Sequence, residues 1–359
     1  MKTNLYNDHI RLNAKMVDFA GYQMPINYSQ GINAECKSVR LNAGIFDVSH
    51  MGQILIKGEK SVDFVQYLTT NDVSKIKTGQ CQYTLICNNN GGIIDDLILY
   101  RLKDGFLLVV NASNVDKNLK WIISHQINDV NISNLSEDIS LIALQGPNSR
   151  KFLSNFSEFK EILSDLKFYH FHDYSDSNNF RIISRTGYTG ELGYEIYGNH
   201  DYIKSMWKLL IDEFKVPPIG LAARDILRIE MRYLLYGNDM NDDITPYECG
   251  LNWVTSENKI DFIGKDKMLS VKKDLDKKLI GLYMNDRCIP RKGYKIHNKE
   301  GEIGYITSGT FSPNINKGIA LGYINNSNTS SQIFVKIRES LFSATITKDT
   351  FIKGNSLFE

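Results

Sequence analysis

Apolar residues recur along this chain in two rhythms. Residues 61–70 carry Val62, Phe64, Val65 and Leu68 at helical spacing. Residues 114–125 do the same through Val115, Leu119, Ile122 and Ile123. A shorter helix is expected over 31–41. The stretches 83–87, 93–102 and 106–111 are instead short apolar runs bounded by turn residues, and they read as strands. The turn NNNGG at 88–92 joins the first two into a hairpin, because Asn and Gly tolerate positive φ. The order helix, strand, strand, strand, helix predicts an α+β module with an antiparallel sheet.

A second module of the same flavour follows. Residues 140–147 form a strand ended by Gly-Pro, and 149–156 a short helix. A strand is expected over 180–186. The loop RTGYTGELGYEIYG (185–198) then runs into another strand. Residues 202–214 and 220–233 are helical, the latter with Leu221, Ile226, Ile229 and Met231 among its apolar positions. Upstream, GIFDVSHMGQILIKG (44–58) reads as loop then strand. The charged run VKKDLDKKL at 271–279 suggests a linker between a region 1–270 and a domain 280–359. The latter alternates strands with turns, the pattern of a small β-barrel or sandwich.

Composition narrows the function classes. Net charge is +1, with 42% hydrophobic and 23% charged residues, ordinary for a soluble globular chain and without the basic excess of a nucleic-acid binder. No apolar run is long enough to span a membrane, and the start has neither a signal core nor transit-peptide character. A cytoplasmic location is therefore expected. The five cysteines are scattered without a CxxC, so neither a disulfide framework nor a zinc site is expected.

Candidate chemistry begins in the strand 93–102. Alternation puts Ile94, Asp96, Ile98 and Tyr100 on one face and Ile93, Asp95, Leu97 and Leu99 on the other. Both faces are apolar, yet each holds one carboxylate. His50 could act as a general base but has no nucleophile partner nearby in sequence; a hydrogen-bonded loop histidine is the simpler reading. The HFH at 170–172 lacks further ligands for a metal. The 185–198 loop is not GxGxxG, and no GK[ST] occurs, so those two nucleotide sites are unsupported. Glu195 sits in apolar company and needs a cation or donors. Arg224 could serve a binding site or an interdomain ion pair. SGTFSP (308–313) alone reads as a turn, and Arg338 alone as a solvated strand arginine.

Taken together and in order, LYNDHIRLNAKMVDFAGYQMP, GIFDVSHMG, NNNGGIIDDLILY, LQGP, RTGYTGELGYE, GLAARDILRIE, YGNDM and SGTFSP resemble the glycine cleavage T-protein family, the aminomethyltransferases. The resemblance covers essentially the whole chain. Tyr22 stands where the family usually has Trp, and Cys36-Lys37 where His is frequent. The resemblance implies a three-domain cloverleaf, in which two α+β modules surround a central folate channel and a C-terminal barrel follows. It implies transfer of a methylene group from the aminomethyl-lipoyl arm of H-protein to tetrahydrofolate, a co-substrate, with release of ammonia and no metal. H-protein is the direct partner; glycine decarboxylase and dihydrolipoamide dehydrogenase are indirect ones. Asp96 matches the catalytic acid facing the folate. Glu195 and Arg224 match the pair that holds the pterin edge, and Tyr188 an aromatic lining the pocket. Met51, Tyr83 and Phe171 are expected along the same channel, and Asn111 as a polar contact. Arg338 matches a C-terminal-domain arginine closing on the folate tail or the lipoyl arm. Asp95, pointing the other way, is expected to be structural.

The alternative within the superfamily is a folate-dependent demethylase of a small methylated compound. Iron–sulfur assembly relatives share the fold but carry a KGC-aromatic-x-GQE motif that is absent from this sequence. A plain binding module leaves Asp96 unexplained, since a carboxylate in an apolar strand is destabilising unless satisfied or used.

Overall fold

The computed structural model describes residues 1–176, 179–328, 332–353 and 355–359. The chain opens with α1 (Tyr6–Arg11), a hairpin β1 (Lys15–Phe19) and β2 (Tyr22–Asn27), and α2 (Ile32–Leu41). Then come β3 (Gly44–Asp47), β4 (Gly52–Lys57), α3 (Ser61–Leu68), β5 (Cys81–Cys87), β6 (Ile93–Leu102), β7 (Gly105–Val110) and α4 (Val115–Ser124). The next stretch holds β8 (Asn131–Asn134), β9 (Ser140–Gln145), α5 (Ser149–Leu153), β10 (Phe171–Asp173), β11 (Arg181–Ser184) and β12 (Gly193–Gly198). It continues through α6 (His200–Lys208), a wider π turn (Leu209–Glu213), α7 (Leu221–Glu230) and α8 (Lys265–Lys273). The last strands are β13 (Lys277–Met284), β14 (Lys295–His297), β15 (Glu302–Ser312), β16 (Lys317–Asn325), β17 (Ile333–Ile337) and β18 (Ser340–Thr347).

Two antiparallel five-stranded sheets, ordered β5-β6-β7-β4-β8 and β10-β11-β12-β9-β3, and a closed six-stranded barrel make up the three lobes. The α+β class and the C-terminal barrel are thus as expected. The outer face of the first sheet packs Ile54, Leu97, Leu99 and Leu108 against α3 and α4 through Phe64, Val65, Leu68 and Ile122. The second sheet buries Ile142, Tyr194 and Ile196 against Trp207 and Met206 of α6. Between the two sheets lies a shared core of Tyr100, Leu107, Val109, Leu141, Ile182 and Tyr197, with Ala223 and Leu227 of α7.

The hairpin of β5 and β6 forms as its pattern predicts, with one change. Ile86 pairs with Asp95 and Cys87 with Ile93, so Ile94 is an extra residue, a β-bulge. The bulge rotates Ile94 into the α3–α4 core beside Leu97 and Leu99, away from the Asp96 face. The turn requires both of its glycines. Gly91 has φ +84°, and a Cβ on Gly92 would lie 1.7 Å from the carbonyl oxygen of Asp242. That close approach lets Ile93 donate its N–H to the carbonyls of Ile244 (2.9 Å) and Asn241 (3.2 Å).

Other expectations change. The stretch 44–47 is strand, not loop: β3 joins β9 of the second sheet. All four of its residues are buried, so the alternation that marks a half-exposed strand is missing. The segment 271–279 is mostly regular structure. Helix α8 runs to Lys273 and β13 starts at Lys277, so its charges are those of an exposed helix end and a strand edge. SGTFS belongs to β15, where the hydroxyls of Ser308 and Ser312 bond Arg228 and Glu230 of α7 rather than solvent.

Helix α7 ties the lobes together. Arg228, 1% exposed, pairs with Asp239 (2.6 Å) and donates to Ser308 Oγ of the barrel (2.7 Å). Arg40 of α2 bridges Glu230 (2.7 Å) and Glu191 (2.8 Å). Glu230 also accepts from Ser312 and Asn314 of the barrel. Each buried charge is compensated, which a low-dielectric seam requires.

Candidate active site

A cavity of about 840 Å³ opens where the inner faces of both sheets meet the barrel. Val48, Ile98, Val109 and Leu141 form its apolar floor. The loops around 232–235 and 249–253, with Leu279 and Leu321 of the barrel, close its sides. Lys348, Thr350 and Leu357 of the C-terminal segment complete the wall.

Asp96 lies on the cavity wall, its side chain held from two sides. Tyr83 Oη donates to Oδ2 (2.9 Å) and Asn111 Nδ2 to Oδ1 (2.8 Å). Strand alternation aims the two successive carboxylates to opposite faces, and the bulge at Ile94 leaves that residue in the core. Asp95 points to α4 and accepts from Asn111, Asn114 and Asn118. Burial pushes both carboxyls above the ordinary carboxylate range. The neighbouring charge of Asp96 adds to the rise at Asp95, and the hydrogen-bond donors to each oppose it. Among the described residues, no lysine, arginine or histidine forms an ion pair with either.

Across the cavity, Glu195 accepts from Thr186 Oγ1 (2.5 Å). Thr186 continues through Ser184 to Tyr100 and Tyr197, a chain of hydroxyls at the cavity base. Burial raises the Glu195 carboxyl, opposed by Thr186 and by the charge of Arg224. Arg224 lies over the Tyr188 ring at 4.3 Å and makes no ion pair among the described residues. Its guanidinium is therefore available to a ligand, and the interdomain ion pairs fall instead to Arg228 and Arg40. Tyr188 donates its hydroxyl to the carbonyl of Leu234 and stacks on Tyr233 (5.6 Å). Trp253 is 67% exposed yet stacks on Tyr83 at 5.8 Å, so it forms the rim.

Of the residues singled out from sequence, Asp96, Met51, Tyr83, Asn111, Tyr188, Glu195 and Arg224 all line this one cavity. Phe171 does not. It packs edge-on to Tyr100 (5.3 Å) in the core behind the wall, because Tyr100 and Tyr197 occupy the layer between it and the cavity. Arg338 does not either: it is exposed in the turn between β17 and β18, at φ +56°. The barrel offers Lys348 instead, and Arg232 joins it from the end of α7. Arg232 adopts φ +59° and donates to the carbonyls of Thr347 and Lys348. Nothing local in sequence marks Arg232, Lys348 or Trp253. Asn114 and Asn118, by contrast, are spaced one turn apart on an otherwise apolar helix face, a signal that could have been read.

His50 is buried against Phe19 and Tyr22, outside the cavity lining, with its Nδ1 unpartnered. Burial pushes it down to about 4, with Asp47 opposing and Arg224 assisting, so it is neutral near pH 7. His170 bonds Gln80 and the Phe168 carbonyl. No group of three or more His, Cys, Asp or Glu side chains suited to a metal occurs among the described residues.

Fold and cavity together define a class: two α+β lobes and a barrel around an aromatic, carboxylate-bearing cavity. Residues 5–259 match the GCVT N-terminal domain, and residues 277–353 the glycine cleavage T-protein C-terminal barrel domain. The aminomethyltransferase of Pseudothermotoga lettingae is 45% identical over 99% of this chain and 98% of its own length. That of Thermosipho melanesiensis is 44% identical, covering 98% of this chain and 97% of its own. The crystal structure of glycine cleavage system aminomethyltransferase T from Bartonella henselae superposes with a TM-score of 0.92 at 31% identity, over 99% of each chain. The chain belongs to the glycine cleavage T-protein family, the aminomethyltransferases.

Proposed function

We propose that this enzyme takes the methylene carbon of an aminomethyl group borne on the lipoyl arm of H-protein and passes it to tetrahydrofolate. Ammonia is released, and the products are 5,10-methylenetetrahydrofolate and dihydrolipoyl H-protein. The observation that carries this reading is Asp96: a half-buried carboxylate on a cavity wall, fixed by Tyr83 and Asn111, without a cationic partner among the described residues. Such a group favours a cation developing in front of it, more strongly than in water.

The lining fits a folate. The volume suits a ligand of that size, about 840 Å³ within the usual range of some hundreds to a thousand. Glu195 and Arg224 supply the acceptor and donor array that a pterin edge needs. Tyr83, Tyr188 and Tyr233 supply aromatic faces. Tetrahydrofolate brings the nucleophilic amines; the protein's part is to bind, orient and exclude water. Arg232 and Lys348 provide cations where a carboxylate tail would leave the pocket. H-protein is the direct partner in this reading, with glycine decarboxylase and dihydrolipoamide dehydrogenase acting on it before and after. Five free thiols suit a reducing cytoplasm, and no described helix is long and apolar enough to cross a membrane.

The test is ammonia release from aminomethyl-loaded H-protein, with and without tetrahydrofolate. Folate-dependent release is expected, and Asp96→Asn should lose about 10²-fold or more while still folding and binding folate. Full activity in that variant refutes the role of Asp96. Folate binding without release in the wild type points to a demethylase with a small methylated donor.

A further inference from the structure

Two adjacent carboxylates, Asp95 fully buried and Asp96 half-buried on the cavity wall, have no cationic ion-pair partner among the described residues, an arrangement that is destabilising unless donors compensate. The donors are shared unevenly. Asp95 Oδ1 accepts from Asn111 Nδ2 (2.8 Å) and Asn114 Nδ2 (2.7 Å). Its Oδ2 accepts from the backbone N–H of Asn111 (3.1 Å) and from Asn118 Nδ2 (2.5 Å). Four N–H groups thus meet about four lone-pair directions, the full complement of an ionised carboxylate. Asp96 has three donors, the Tyr83 hydroxyl, the same Asn111 amide and its own backbone N–H. Asn118 is fully buried, and its own Oδ1 has no partner. Helix α4 leaves an acceptor orphaned in order to aim an amide N–H at Asp95.

The groups facing the pair from other elements are Tyr83 of β5, Tyr188, Tyr236, Tyr169, Cys249 and Asp239. None is cationic, and Asp239 is itself paired with Arg228 at 2.6 Å. Outside α4 and its leading turn, the Tyr83 hydroxyl favours the charge on Asp96 and the charge of Asp239 opposes it, so the four donors on Asp95 decide the balance.

We propose that Asp95 is a positioning residue: the asparagine cradle of α4 holds it ionised, so that a proton taken up by the pair sits on Asp96, inside the cavity. This rests on the transfer reading above. Burial raises both carboxyls towards neutral pH and the more buried Asp95 the further, so the asparagine cradle must outweigh that difference to leave the proton on Asp96. Protonated Asp96 can then assist departure of the amine. The carbon–nitrogen bond of the aminomethyl donor breaks with its electron pair going to nitrogen. That nitrogen takes the Asp96 proton, and ammonia leaves. The carboxylate so formed faces the cation left on the methylene carbon and sulfur. Asp96 recovers a proton from the amine nitrogen that next bonds to this carbon, and so ends the step as it began.

The experiment reads the proton directly, on the full chain without donor or folate. Infrared difference spectra across the neutral pH range report protonated carboxyl groups, with ¹³C-labelled aspartate for assignment. The wild-type band should vanish in Asp96→Asn. In Asp95→Asn it should persist, with its midpoint lowered by about one pH unit or more as the neighbouring charge is removed. Asn118→Ala touches Asp95 and not Asp96, and serves if Asp95→Asn fails to fold. There the proton should move to Asp95, giving a band that survives addition of Asp96→Asn. A wild-type band that survives Asp96→Asn overturns the proposal, as does a midpoint unchanged in Asp95→Asn. The falling limb of the pH–rate profile should track the same midpoints. If H-protein-dependent transfer is absent, the transfer reading fails while the titration result stands; active transfer with an unmoved limb overturns only the role of Asp95.

Discussion

Replacing Arg228 with methionine tests how α7 holds the cavity together. The guanidinium is buried and donates to Asp239 Oδ2 (2.6 Å), Asp225 Oδ1 (2.9 Å), the Tyr233 carbonyl (3.0 Å) and Ser308 Oγ (2.7 Å). Methionine fills most of the same volume, so cavity formation is a minor term. The major term is Asp239. It is fully buried, and without Arg228 it keeps only Thr307 Oγ1 on one oxygen and the Leu235 N–H on the other. Leaving one partner of a buried pair uncompensated costs about 3–5 kcal/mol. The Asp225 contact adds little, because that carboxylate is 46% exposed. For a chain of 359 residues a loss of that size corresponds to a fall in Tm of roughly 4–7 °C. The assay is thermal and urea unfolding of Arg228→Met, Asp239→Asn and the double variant, without ligand. The double variant should regain at least about half of the single loss, because the orphaned charge is gone. A single-variant loss below about 1 kcal/mol, or a double variant no better than Arg228→Met, refutes the reasoning. Arg224 lies one turn earlier on the same helix, so folate affinity should fall with the docking of α7.

Two further outcomes follow from local geometry. Burial alone would raise Asp47, but the His9 ring (2.9 Å), Thr3 Oγ1 (2.6 Å) and the Ser49 N–H (2.9 Å) outweigh it and hold the carboxyl down at about 2. Against an unfolded value of about 3.9, that contributes roughly 2–3 kcal/mol, present above pH 4 and lost as pH falls towards 2. Thr3→Val should therefore destabilise the protein at pH 7, with the difference from wild type shrinking below about pH 4 in urea titrations; a pH-independent difference contradicts this. Trp253, exposed and stacked on Tyr83 at the rim, should change its fluorescence when folate binds. Trp253→Ala should weaken binding by roughly 0.5–1.5 kcal/mol without altering unfolding, as calorimetry would show.

Much of the candidate site was legible because strands and loops carry it locally. Asp96, Tyr83, Glu195 and Tyr188 sit within a few residues of Gly-rich turns that place them, so motif and position arrive together. The alternation of β6 predicted the opposed carboxylates correctly. It misplaced Ile94, since a bulge depends on what the turn packs against, here the 241–244 loop. Phe171 and Arg338 lie outside the cavity lining for a common reason: the resemblance named a neighbourhood, and the packing order within it was decided elsewhere. For Phe171 it was the Tyr100–Tyr197 layer, and for Arg338 the turn between the last two barrel strands.

The sequence by itself determined the lobes, most of their elements and the type of chemistry. The elements follow from periodicity and turn residues, and the lobes and the chemistry from the resemblance that a run of short motifs carries in order, all of which are short-range properties. Only the tertiary structure decided which charges are paired and which are free. Arg228 and Arg40 have their carboxylates 11 and more than 100 residues away, at Asp239 and at Glu191 and Glu230. Arg224, on the same helix, has none among the described residues. A guanidinium turned by one helical step meets a different lobe, and no local pattern records which lobe that is.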